Sequence, residues 1–236
     1  MRNIYTAEGE RGLLLYSYSG KIYLRSFLGE RAERAVILAN DFQDNLSDVS
    51  YNNTIYYGYT STKGEVVVKN ILEQKVQFSS MAQGNFECFL PHVNIIGGKL
   101  ALLFFIKNPL DQKYILKVVF PLNEKEFLFP EEYDELPCRE SIVVLKSGLV
   151  FLDFGTKKQI WKLLWQGETC VAKKQKLTDK MEMDLYINES IALQKRVKEY
   201  DLIIQSIKKQ YDELMNTATL YKEEANKWRE KYYSKK

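Results

Sequence analysis

Residues Asn52–Ile71 read NNTIYYGYTSTKGEVVVKNI: an asparagine pair, an apolar run, a polar turn ending in Gly64, and a second run rich in β-branched residues. Asparagine and glycine tolerate left-handed backbone and so mark turns, whereas aromatic and β-branched runs mark strands. The stretch is a β-hairpin, and whether it stands alone or recurs decides the fold.

It recurs. From Gly12, LLLYSYS leads through the turn at Gly20 into KIYLRSF; from Lys99, LALLFFI leads through KNPLDQ into KYILKVVF; from Gly148, LVFLDF leads through GTKKQ into IWKLLW. The anchors Gly12, Thr54, Lys99 and Gly148 are 42, 45 and 49 residues apart. The later hairpins follow another short run and a tight turn: DVSY before Asn52 and Asn53, HVNII before Gly97 and Gly98, SIVVL before Lys146 and Ser147. A further candidate strand comes after each hairpin, in AERAVIL, KVQFSS, EFLFP and CVAKKQKL, and Asn3–Thr6 can lead the first unit. Four strands in about 45 residues is the size of a propeller blade, a sheet that buries its faces only by stacking on its neighbours. The repeats predict units at about 2–40, 46–81, 91–130 and 139–177. A β-sandwich plus a helix is the alternative, since sandwich strands recur at similar intervals.

Beyond the repeats the chain changes character. All 5 prolines and 12 glycines lie at or before Gly167. From Asp179 the sequence is an unbroken mixture of Lys, Glu, Gln, Leu, Ile and Tyr, with Thr178 and Asp179 as candidate caps and Glu182 as a capping-box partner of Asp179. Steps of three and four trace Met183, Tyr186, Ser190, Leu193, Val197, Tyr200, Ile204, Ile207, Tyr211, Leu214, Ala218, Tyr221, Ala225, Trp228 and Tyr232, of which only Ser190 is strongly polar. A strict heptad stripe stays on one side only in a helix that supercoils around a partner. A helix over 179–236, at about 1.5 Å per residue, reaches almost 90 Å, longer than a β domain of residues 1–178 is wide. The stripe therefore predicts an oligomerisation helix. Val197 and Ile204 at one core position, with Leu193 and Leu214 at the other, favour a parallel dimer. Ala218 and Ala225 alternating with Tyr221 and Trp228 also suit an antiparallel pair, and Ile187, Ile203 and Met215 beside the seam leave higher orders open.

The remaining composition excludes more chemistry than it identifies. The net charge is +3, split evenly between the parts: 22 basic against 20 acidic residues up to Thr178, and 12 against 11 after it. Nucleic acid binding is not expected from that balance. The first twenty residues reach only a five-residue apolar run, and Leu100–Ile106 falls far short of the roughly 20 residues that span a bilayer. Neither a secretion signal nor a membrane span is expected. Cys88, Cys138 and Cys170 are odd in number and set among apolar neighbours, as for buried thiols of a reducing cytoplasm. No phosphate-binding glycine motif occurs, and His92 is the only histidine. A zinc site or a histidine-dependent nucleophile thus finds no support, and no cofactor is expected.

Three features carry candidate binding chemistry. Tyr56, Tyr57 and Tyr59 are a candidate ligand surface, able to meet a protein or to stack on sugars, although tyrosine is also an ordinary cross-strand residue. Asp41, Asp44 and Asp48 in NDFQDNLSD, and Glu131, Glu132, Asp134 and Glu135 in PEEYDELP, read as solvated connections, with a carboxylate pair for glycoside hydrolysis as the sharper alternative. Lys157, Lys158, Lys162, Lys173, Lys174 and Lys176 form a basic cluster that reads as a lysine-decorated edge or as a surface for an acidic partner. In architecture the chain resembles a small β-propeller carrying a coiled coil. That resemblance implies a non-enzymatic, oligomeric scaffold or protein-binding module, with a carbohydrate-binding or glycoside-processing propeller protein as the alternative.

Overall fold

A computed structural model describes residues 2–7, 11–28, 31–80, 87–123, 125–138, 142–166, 169–176 and 178–234. Among these residues the protein is mainly β, with four antiparallel sheets, each built from consecutive strands, and one C-terminal helix. The first sheet runs β1 (Arg2–Ala7), β2 (Arg11–Tyr18), β3 (Lys21–Leu28) and β4 (Arg31–Ala32), with β5 (Val36–Ala39) also pairing with β3. The second runs β6 (Phe42–Tyr51), β7 (Thr54–Ser61), β8 (Val66–Asn70) and β9 (Val76–Ser79). The third runs β10 (Cys88–Ile96), β11 (Lys99–Lys107), β12 (Tyr114–Phe120) and β13 (Lys125–Tyr133). The fourth runs β14 (Ile142–Val144), β15 (Leu149–Asp153), β16 (Lys158–Gln166) and β17 (Thr169–Gln175). Helix α1 spans Asp179–Tyr233. Four separate sheets stand where a sandwich has two.

The chain divides into two compact units. One comprises residues 1–2, 15–24 and 36–184; the other comprises residues 3–14, 25–35 and 185–236.

Turn chemistry sets the hairpin registers. Ser19 and Gly20, Asn52 and Asn53, and Gly97 and Gly98 all have positive φ. Left-handed backbone at both central residues is the two-residue turn whose twist matches that of the flanking strands. Tyr51 accordingly pairs with Thr54, and Ile96 with Lys99. Glycine at 97 is doubly required, because a Cβ there would stand 2.9 Å from Nε1 of Trp165. Both prolines inside strands, Pro91 and Pro130, sit where the register shifts, between Phe89 and His92 and opposite the step from Ile115 to Lys117. A bulge spares the ladder the amide hydrogen that proline lacks.

The third sheet is buried on both faces. Along β11, Leu100, Leu102 and Phe104 pack with Val66, Val68 and Tyr56 of the second sheet. The alternate residues Ala101, Leu103 and Phe105 pack with Val150, Leu152 and Trp161 of the fourth. Residues alternate between the faces of a strand; a strand covered on both faces is therefore apolar at every position, which explains the continuous run LALLFFI. Gly58 permits the approach of the second and third sheets, since a Cβ on it would lie 2.6 Å from Cγ2 of Val93. Bonds from backbone amides tie the layers: Val93 N–H donates to the side-chain Oγ of Ser47 at 3.0 Å, and Gly97 N–H donates to the Lys146 carbonyl at 3.1 Å.

The structure corrects several readings. The acidic stretch around Asp44 and Asp48 is not a connection between strands: both residues lie within β6. PEEY likewise extends β13 to Tyr133. Turn-forming residues stand inside both strands because the ladders are bulged there, with register shifts after Phe42 and Asp44 and between Ile115 and Lys117. Cys138 is exposed, unlike Cys88. The helix begins as its cap predicts: the Thr178 hydroxyl accepts the Met181 N–H at 3.4 Å, satisfying one of the orphan amides of the first turn. Among the described residues, no helix is long and apolar enough to cross a membrane.

Candidate functional site

Tyr56, Tyr57 and Tyr59 are interior residues, with Tyr57 and Tyr59 fully buried. Three buried tyrosines within four residues of β7 arise where both faces of the strand are covered. The rings of Tyr57 and Tyr59 stack at 6.2 Å between centroids, and each hydroxyl has a fixed acceptor. Tyr57 donates to Gln74 Oε1 at 3.2 Å, and Tyr59 donates to Asp41 Oδ1 at 2.8 Å. Burial, reinforced by the Asp41 carboxylate, pushes both phenols upward in pKa, so they remain donors. They offer packing and hydrogen bonds to their own chain, not an open stacking platform for sugars.

The acidic and basic candidates meet in one network. Glu131, on the bulged end of β13, accepts bonds from Gln159 Nε2 at 2.6 Å, Lys174 Nζ at 2.5 Å and Lys157 Nζ at 3.2 Å. Gln159 is 2% exposed, and its Oε1 accepts from Trp161 Nε1–H at 3.1 Å and from the Tyr133 hydroxyl at 3.3 Å. Burial pushes the Glu131 carboxyl up, but the bonds from Lys174, Gln159 and Lys157 outweigh it and hold the group below its ordinary range. The carboxylate thus ties the third sheet to the fourth. A general acid needs the opposite shift. Two more cluster lysines also have partners within the chain: Lys158 pairs with Asp153 at 3.4 Å, and Lys162 donates to the Ser147 carbonyl at 2.6 Å. Lys173 and Lys176 are exposed. His92 lies half-buried in β10, opposite Leu103. Among the described residues, no group of His, Cys, Asp or Glu has the arrangement to hold a metal ion.

A recess of about 430 Å³ opens along the second and third sheets, lined by Ser80, Cys88, Phe104, Ile106, Lys117, Glu126, Phe127 and Leu128. Lys117 pairs in the β ladder with Phe104 and Leu128, on the face of β12 that Val119 presents to the apolar layer between these sheets. Its ammonium is 2.9 Å from Glu126 Oε2, with side-chain exposures of 11% and 44% respectively. Ser80 Oγ accepts the Val66 N–H at 3.0 Å. The Cys88 thiol is pushed up by burial, against the opposing pull of Ser80 and the Lys117 charge. Lys117 was not singled out from sequence. The available signal was parity: KYILKVVF places a cation in register with Ile115 and Val119, where the two-sided burial of the sheet calls for an apolar residue.

The side chains of the predicted heptad stripe are exposed along α1. Met183, Tyr186, Leu193, Val197, Tyr200, Ile204, Ile207, Tyr211, Leu214, Tyr221, Trp228 and Tyr232 are between 57% and 70% exposed. Ala218 and Ala225 between them are exposed as well. The helix carries these side chains without a break over 55 residues.

No protein-family model and no curated protein matches the chain. Among solved structures, the endo-arabinase from Bacteroides thetaiotaomicron VPI-5482 is similar at 13% sequence identity. The alignment covers 75% of this chain and 94% of that one with a TM-score of 0.28, and at that score it bears on neither fold nor activity.

Proposed function

We propose that this chain is a non-enzymatic, oligomeric scaffold or protein-binding module: a small propeller-like set of four sheets whose copies are joined by a coiled coil of their C-terminal helices. One observation carries the reading. A helix of 55 residues leaves twelve large apolar seam side chains more than half exposed, and a seven-residue period is the pattern that a second such helix covers. A homo-oligomer supplies an identical stripe at no cost in new sequence. Joining copies turns weak single contacts into avidity, which is how a module without catalytic groups gains purchase on a partner. The tight tethering of Glu131 and the burial of the three tyrosines support a binding role over a glycoside-processing one.

The test is the mass of the intact protein by light scattering across a range of concentrations. A dimer or higher multiple is expected, together with the helical signal of an ordered tail. A monomer with that helix ordered at high concentration refutes the proposal.

A further inference from the structure

We infer that the recess at Lys117 is a binding site for a small organic acid, an aliphatic or aromatic carboxylate whose anionic end takes the Lys117 ammonium and whose apolar body lies on Phe104, Ile106 and Leu128. The inference starts from the cost of the lysine. An ammonium placed in the apolar layer between two sheets loses several kcal/mol of hydration, and replacing a buried ion pair with apolar side chains of similar size is commonly neutral or stabilising. Stability alone gives no reason to keep a cation opposite Phe104.

The pair is also unequal. Lys117 is held in place by the sheets around it, with 11% of its side chain exposed, while Glu126 approaches from the next strand with 44% exposed. The carboxylate on the rim can return to water at small cost; the ammonium cannot. An incoming carboxylate therefore exchanges for Glu126 and keeps the buried charge paired.

Size and lining set the class of ligand. A volume of about 430 Å³ lies within the range of small-molecule sites. Of the eight described lining residues four are apolar, and among those described Lys117 is the one cation. A phosphate dianion needs several donors when it leaves water, whereas a monoanion with an apolar body matches one ammonium and a hydrophobic wall. The site does not depend on the oligomer proposed above.

The experiment titrates the full-length protein with hexanoate and 3-phenylpropanoate, and with the corresponding amides, by calorimetry. Saturable binding of the acids and none of the amides is expected. Glu126→Gln removes the resident competitor and is expected to tighten acid binding at least about tenfold, the worth of one charge-assisted hydrogen bond. Lys117→Met is expected to abolish binding. Acid binding that survives Lys117→Met, amides that bind as well as acids, or the absence of saturable binding even in Glu126→Gln would each overturn the proposal. Should Lys117→Met fail to fold, the sign of the Glu126→Gln effect still decides, because that side chain is on the rim.

Discussion

Ile204 is a sharp place to test the seam. It is 60% exposed in the single chain, and full burial of such a side chain contributes about 1.5–3 kcal/mol. A partner helix that covers the exposed fraction therefore gains about 1–2 kcal/mol per chain, or about 2–4 kcal/mol across a two-fold dimer. Ile204→Ala keeps one methyl group, which places the expected loss in the lower part of that range, about 2–3 kcal/mol, or a dissociation constant raised about 30- to 150-fold. Alanine is a better helix former than isoleucine, so weaker association cannot come from a lost helix. Sedimentation equilibrium measures the shift directly. Asn216→Ala, exposed on the side of the helix away from the seam in the heptad register, serves as the control and is expected to leave association unchanged. If Ile204→Ala associates as tightly as the parent, or if both variants weaken alike, the seam is not the interface.

Three further outcomes follow from the β sheets. Gly58→Ala pushes a methyl to 2.6 Å from Val93 Cγ2 and is expected to cost about 1–3 kcal/mol in chemical denaturation; with Val93→Ala added, the loss should fall below the sum of the single changes, and strict additivity would contradict the close approach. Glu131 has a folded-state pKa below its unfolded value, so its stabilisation is present above the unfolded pKa and is lost as pH falls through the folded one. Glu131→Gln is therefore expected to cost about 1 kcal/mol near neutrality and to flatten the acid limb below about pH 4, read from melting temperature against pH; a parallel limb would count against the network. Among the thiols, exposed Cys138 should react first with a thiol reagent at neutral pH, ahead of buried Cys88 and of Cys170, whose thiol burial pushes up to about 11; simultaneous labelling of all three would refute the order.

The repeat was legible because its punctuation is local. Asn52–Asn53 and Gly97–Gly98 declare left-handed turns in two letters, and β7, β8, β11 and β12 stand where the runs between such turns place them. The errors have a common physical origin: sequence records residue type, whereas the fold adds a second covered face. Tyr57 and Tyr59 look like a surface until both sides of β7 are covered. Glu131 looks like a loop acid until the bulge at Pro130 turns it toward Gln159 and two lysines. Lys117 passes unnoticed because a lysine in a strand is ordinary when one face is wet, and only the stacking of the second and third sheets makes it costly. Helix α1 was legible from composition and its cap, since neither glycine nor proline interrupts the chain after Gly167.

The two-sided burial of the third sheet sets a rule for how such a chain can vary. An outermost layer can be trimmed or lengthened while its one packed face keeps its match. A middle layer has no wet side on which to accept a polar replacement, and removing it strips the cover from both neighbours at once. Cooperative unfolding should therefore be governed by Leu100–Phe105, with the slowest amide exchange of the β strands in that segment. Variation that preserves folding is then confined to the turns and the exposed strand positions.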